Sequence, residues 1–413
     1  MPAALSEAEL AQGARLMARL DAFAAFSDEE GRLTRLFLSD AHRRAAEAYI
    51  GWCAEAGLEA RIDAAGNVVA RYEGKMLGAP ALMLGSHIDT VRDAGRYDGN
   101  YGALAALAVV EALAAAGERF DHAVEIVAFG DEEGVRWRTT LTGSRALAGN
   151  YPREALHQKD AAGVVMGDAL KAFGGDPDRA ASIRAGGAVA FVEAHIEQGP
   201  VLEAEGLPIG VVTAINGATR LEIGVDGLAG HAGATPMNLR RDALAAAADM
   251  ALAIEKRARA EADLVATVGR MEVWPNAANV IPGHVQFSID VRAPDDKRRA
   301  TAVADIRAGL EAIAAQRGVR ATVGTTHEAD AYVCDPRIVA GFSHAVESLG
   351  VSPLLLPSGA GHDTMAIGRL CPAGMLFVRC KGGVSHNPLE SITTEDCAFG
   401  LAALSRFVRN FEI

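Results

Sequence analysis

The chain has 413 residues, half of them hydrophobic and 23% charged, with a formal net charge of -13. A chain of this length outgrows one hydrophobic core, so two domains are expected, and the composition excludes a disordered protein. The negative charge argues against a broad nucleic-acid or anionic-membrane surface, both of which need a positive field, and no apolar run reaches the roughly 18 residues of a membrane span.

The N-terminal stretch MPAALSEAELAQGARLMARL carries Glu7 and Glu9 and lacks a continuous apolar segment. It reads as an amphipathic helix, not a signal peptide, so a soluble, cytoplasmic protein is expected. Residues 6–23 and 40–58 have helical periodicity, the second closed by Gly57. Residues 68–74, 80–89 and 122–133 are short, apolar and followed by glycine or acidic residues, as strands are. Residues 103–116 are apolar on nearly every side, the mark of a helix buried between layers. The alternation implies an α/β layered domain.

From about residue 214 the rhythm changes. Strand patterns at 219–227, 264–274, 284–293 and 319–329 and helix patterns at 236–259 and 297–318 give the order βαββαβ, a ferredoxin-like unit. Residues 334–350 then resume the first pattern. The expected fold is α/β: a discontinuous catalytic domain, 1–213 and 331–413, interrupted by a smaller inserted domain, 214–330. Cys53, Cys334, Cys371, Cys380 and Cys397 are odd in number and never form CxxC, which suits free thiols better than disulfides or a cysteine-zinc site.

Five clusters carry chemistry: GSHIDT (85–90), YDGNYG (97–102), DEEG (131–134), AHIEQG (194–199) and SHNP (385–388). The first four follow strand ends or loops of the α/β domain, where such enzymes place their sites. On a strand, His87 and Asp89 share a face, so Asp89 can accept the ring N–H that His87 does not use for a metal. Asp98, among glycines ahead of the buried helix, can offer one oxygen to each of two cations, although a turn aspartate looks the same. Glu132 and Glu133 reach one site only if their strand ends there; one would then hold metal while the other handles a water proton. His195 and His386 complete a nitrogen and oxygen ligand field without thiolate, suited to Zn²⁺, Mn²⁺ or a similar ion. Neither GxSxG nor a phosphate-binding glycine loop is present.

In order along nearly the whole chain, GSHIDTV, YDGNYG, DEEG, TGSRALAG, AHIEQGPVLE, GHAGATPM, PNAANVIPG, SGAGHDTM and SHNPLE resemble the M20-type dinuclear metallohydrolases, and more narrowly their carbamoylase branch. That branch comprises N-carbamoyl-L-amino acid hydrolases, allantoate amidohydrolases and β-ureidopropionases. The resemblance implies two divalent ions per subunit, Zn²⁺ or Mn²⁺ with Co²⁺ or Ni²⁺ as alternatives. His87, Asp98 and His195 would hold one and Asp98, Glu133 and His386 the other. Glu132 would be the general base. The peptidase relatives generally have a carboxylate where His195 stands, which favours a small ureido carboxylate as substrate over an acyl-amino acid or dipeptide. Gln198, Arg220, Asn279 and Arg292 match substrate-binding positions. The inserted domain would be a lid through which a homodimer forms, with His231 as the oxyanion donor. His362 and Asp363 are read as loop-shaping groups. After DEEG, VRWRTTLTGSR departs from the family's usual continuation, which leaves the neighbouring pocket open.

Overall fold

The computed structural model describes residues 5–183 and 185–412; residues 1–4 of the N-terminal stretch and positions 184 and 413 lie outside them. The chain folds as two units. One runs to Thr213 and takes in Cys334–Leu356 and the chain from Ala360 on; the other is Ala214–Val333 with Pro357–Gly359. The second unit therefore ends at Val333, beyond residue 330, and includes a short segment from the late chain.

The first unit is built on one large sheet. Seven of its nine strands run in the order Ala60–Ile62, Val68–Tyr72, Ala123–Phe129, Ala81–His87, Ala188–Ile196, Ala373–Val378, Ile209–Ile215. The middle four are mutually parallel and the flanking strands antiparallel. Parallel strands are covered on both faces, and Ala81–His87 is accordingly buried at every position. Helix Asn100–Ala116 packs against that strand with most of its residues buried. Gly99 ahead of it adopts φ 65°, and a Cβ there would overlap the His87 ring, so backbone and packing both call for glycine. Helix Glu7–Ala24 starts at a reciprocal cap: Ser6 Oγ accepts from Glu9 N–H and the Glu9 carboxylate accepts from Ser6 N–H. The five cysteines are buried free thiols. Among the described residues no helix is long and apolar enough to cross a membrane.

The second unit is an antiparallel sheet in the order Arg320–Ala329, Gly217–Asp226, His284–Ala293, Val265–Trp274. Phe287, Ile289 and Val291 alternate onto the buried face against helices Ala243–Arg259 and Asp296–Arg317. The first of these helices starts later than the pattern at 236 predicts. Met237–Leu239 is a single 3₁₀ turn, and the Asp242 carboxylate accepts the N–H groups of Leu244 and Ala245, which sets the α-helical start. A two-residue ladder, Gly230–His231 with Val280–Ile281, has no counterpart in the sequence patterns, because two residues carry no periodicity.

Candidate metal and catalytic site

All four parallel strands deliver ligand-capable groups at their carboxyl ends. His87 is the last residue of its strand and His195 the last but one of its own; Glu132 and Glu133 follow Ala123–Phe129, and His386 follows Ala373–Val378. Asp98 enters from the loop ahead of the buried helix. The structure brings these residues together around Asp98. Its Oδ1 lies 3.5 Å from His87 Nε2 and 3.2 Å from His195 Nε2, and its Oδ2 lies 3.2 Å from His386 Nε2. His386 Nε2 is 3.5 Å from Glu133 Oε2. Two groups with ligand atoms within 4.8 Å of one another, His87–Asp98–His195 and Asp98–Glu133–His386, share Asp98. Glu132 Oε2 stands 4.0 Å from His87 Nε2. The His386 side chain is 51% exposed, while those of His87, Asp98, His195 and Glu133 are buried.

The chemistry of this set fits a divalent cation. Nδ1 of His87 meets the Asp89 carbonyl at 3.0 Å and Nδ1 of His195 meets the Ile196 carbonyl at 2.8 Å. A carbonyl only accepts, so in both neutral rings the proton sits on Nδ1 and the Nε2 lone pair faces a carboxylate. Lone pairs converging on a buried carboxylate need a positive charge between them. Protons supply it in the metal-free protein. Against the effect of burial, Asp98, Glu132 and Asp89 hold the His87 ring well above its ordinary pKa, and the hydrogen bond to Asp98 pushes His386 up to about 9. Burial, with repulsion from Asp98, raises Glu133 to about 7. A cation must displace those protons. Metal affinity is therefore expected to rise with pH through about 7 and on to about 9, with proton release seen by calorimetry in buffers of different ionisation enthalpy. An affinity independent of pH over that range would count against these ligands.

One expectation needs correction. The Asp89 carboxylate does not take the His87 ring N–H: its Oδ1 is 3.8 Å from Nδ1, beyond hydrogen-bond reach, and the Asp89 backbone carbonyl is the acceptor. The strand ends at His87, so its alternation does not extend to residue 89. The Asp89 carboxylate instead accepts from the N–H groups of Glu132 (3.2 Å) and Glu133 (3.3 Å), fixing the turn on which both carboxylates enter the site. Gln198, expected to bind substrate, donates its Nε2 to Asp98 Oδ2 at 2.7 Å from a left-handed backbone (φ 56°).

His231, Arg220, Asn279 and Arg292 belong to the second unit. The His231–Val280 pairing and the bond from Ala232 N–H to the Asn279 carbonyl hold the loops of His231 and Asn279 side by side. Gly233 N–H donates to His231 Nδ1, so the neutral ring carries its proton on Nε2. The Arg292 guanidinium grips Asp290 through Nε (2.9 Å) and Nη2 (3.1 Å), and Arg220 Nε meets the same carboxylate at 3.0 Å. Two guanidinium groups thus share one carboxylate, and Arg292 Nη1 also reaches the Gly359 carbonyl.

Sequence reasoning missed several buried partners. Glu193 accepts from Ser86 Oγ, Thr364 N–H and Thr364 Oγ1, and lies with His195 and His362 in a third cluster. Its one signal was a carboxylate two residues before His195 in an apolar strand. Glu390 accepts from the N–H groups of Tyr97 and Asp98, while Ser385 Oγ lies 2.7 Å from Asp98 Oδ2 and 2.8 Å from Glu390 Oε2. The His362 ring packs edge-on against His195, and burial with the His195 charge keeps it well below its usual pKa.

A mixed α/β chain that gathers imidazoles and carboxylates at the ends of its parallel strands falls in the class of metal-dependent α/β hydrolases. Within that class, residues 83–410 match the profile of "Peptidase family M20/M25/M40", and the chain belongs to this family. It is 43% identical over 396 residues to an N-carbamoyl-L-amino acid amidohydrolase of Geobacillus stearothermophilus, covering 95% of this chain and 97% of that one. It is 39% identical to allantoate deiminase 1 of Glycine max, covering 95% and 88%. A crystal structure of a hydantoinase/carbamoylase family amidase from Burkholderia multivorans superposes with a TM-score of 0.91 at 36% identity, covering 96% of each chain.

Proposed function

We infer that the chain is a hydrolase that cleaves the C–N bond of a ureido group on a small carboxylate, at a centre of two divalent ions. His87, Asp98 and His195 would hold one ion and Asp98, Glu133 and His386 the other. When bound, such ions polarise a carbonyl and bring the pKa of water from 15.7 toward about 7. The observation that carries the ureido reading is His195. The family resemblance implies that peptidase relatives generally have a carboxylate where this imidazole stands, and relatives similar over nearly the whole chain are named for N-carbamoyl-amino acids and allantoate.

Glu132 serves as the base. Burial and the carboxylates of Glu133, Asp363 and Asp89 push it well above the usual carboxylate range, which makes it a stronger proton acceptor. It takes the proton of the attacking water and returns one to the departing nitrogen. Asp89 acts through the backbone of Glu132 and Glu133, keeping both carboxylates aimed. Gln198 donates to Asp98 and would help bind substrate beside it. His231, with Nε2–H as its donor, stabilises the developing oxyanion. Asn279 and Arg220 line the substrate region with Arg292, which is held by Asp290 through Nε and Nη2 and whose remaining Nη N–H groups would bind the substrate carboxylate.

Arg292→Lys is expected to raise KM by about 10-fold or more with kcat little changed, because hydrogen bonds to charged groups contribute about 1.5–3 kcal/mol. Steady-state kinetics on an N-carbamoyl-L-amino acid reads this out, and an unchanged KM removes Arg292 from the substrate site. The second unit, as a lid and dimer module, makes the working form a homodimer, which sedimentation tests. The reaction itself is tested by ammonia release from N-carbamoyl-L-amino acids, N-carbamoyl-β-alanine and allantoate with Zn²⁺, Mn²⁺, Co²⁺ or Ni²⁺. Release of free amine from acyl-amino acids or dipeptides, without ammonia from any ureido compound, would replace this reading by an aminoacylase or peptidase.

A further inference from the structure

The loop that joins His87 to Asp98 is held along its length by a segment carrying no site residue. Ala94 N–H donates to the Leu33 carbonyl at 2.8 Å and Asp93 N–H to Thr34 Oγ1 at 3.0 Å. Arg35 N–H donates to Thr90 Oγ1 at 2.9 Å, and Thr90 N–H returns to the Arg35 carbonyl at 3.0 Å. The Arg35 side chain then enters the interior, where the residue is 0% exposed. Its Nε donates to the Ile88 carbonyl (2.6 Å) and its Nη2 to Asn100 Oδ1 (2.5 Å). Nη1 reaches the carbonyls of Phe23 (2.9 Å) and Phe26 (3.1 Å), and the guanidinium lies over the Phe23 ring at 4.4 Å.

These partners are neutral dipoles. The carboxylates of Asp89 and Asp28 attract the guanidinium through space, but neither is hydrogen-bonded to it, and burial without a bonded carboxylate carries a desolvation penalty that an apolar side chain of similar volume avoids. Packing therefore does not account for it, but its two principal anchors do. Ile88 follows His87 directly, and Asn100 stands two residues past Asp98 at the start of the buried helix. The Asn100 Nδ2 is buried without a partner among the described residues, so the bond to Arg35 is what fixes that side chain. The guanidinium spans one end of each ligand loop with the rigid planar fork that only arginine has.

We propose that Arg35 is a positioning residue that sets the separation of His87 and Asp98 by bridging the two loops that carry them. The inference rests on reading those two residues as ligands of one ion. Partners that orient ligands from behind usually matter 10- to 100-fold (about) in metal affinity. Arg35 lies ahead of the matched family span, 83–410, so the N-terminal segment brings its own support to the site.

The test compares Zn²⁺ binding, and the visible absorption of the Co²⁺-loaded protein, among the parent, Arg35→Lys, Arg35→Met and Asn100→Ala. A single ammonium cannot span both oxygens, and Asn100→Ala removes one anchor while leaving the buried cation in place. Each variant is expected to bind Zn²⁺ about 10–100-fold more weakly and to shift the Co²⁺ bands, which report ligand geometry and are blind to a mere loss of thermal stability. Should the Arg35 variants fail to fold, Asn100→Ala decides. Zn²⁺ affinity and Co²⁺ bands indistinguishable from the parent's, whatever the change in Tm, overturn the proposal. A parent chain that binds no Zn²⁺ overturns the metal reading itself, and this inference with it.

Discussion

Glu132→Gln is expected to lower kcat by about 10²–10⁴-fold, the range of a positioned general base, while the metal content of the purified protein stays near that of the parent. The amide keeps the shape of the carboxylate and cannot take a proton. The two readouts must be taken together, because His87, Glu132 and Glu133 also have ligand atoms within 4.8 Å of one another. If Glu132 is a ligand, metal is lost along with activity. If it is the base, activity falls alone. Substantial residual turnover with full metal would remove it from both roles.

Asp98→Asn should be more severe: metal content drops to a small fraction of the parent's and hydrolysis becomes undetectable. Asp98 is common to both candidate ligand groups and is the carboxylate on which His87, His195 and His386 all converge. An amide in its place removes the one carboxylate common to the three imidazoles, and its NH₂ opposes the donors Gln198 Nε2 and Ser385 Oγ. Elemental analysis, with circular dichroism as the control for folding, checks this. An Asp98→Asn protein that retains its metal and turns over would show that the two groups do not share this residue.

Much of the architecture was legible because long elements repeat their pattern. The buried helix Asn100–Ala116, the all-apolar strand Ala81–His87 and the alternation of HVQFSIDVRA follow from burial on all sides or on one. The strand-end places of His87, Glu132, Glu133 and His195 were legible from the residues, while their grouping with Asp98 and His386 came from the family resemblance. What escaped was set by local backbone or by partners distant in sequence. Asp89 turned from the His87 ring to the amides of Glu132 and Glu133 because the strand stops one residue past Ser86. Gln198 faces Asp98 because its φ is positive, which no periodicity foretells. Glu390 and Arg35 are joined to the site by bonds to residues 97–98 and 88–100, and a charged residue in a loop resembles a surface residue until those partners are seen.

The sharing of Asp98 by two cations underlies the proposed chemistry, and anomalous diffraction from crystals of the Zn²⁺-loaded protein tests it most directly. The expected result is two peaks about 3.5–4 Å apart, one beside His87 and His195, the other beside Glu133 and His386, with one Asp98 oxygen toward each. A single ion, or an ion seated instead on the buried cluster of Glu193, His195 and His362, would contradict it.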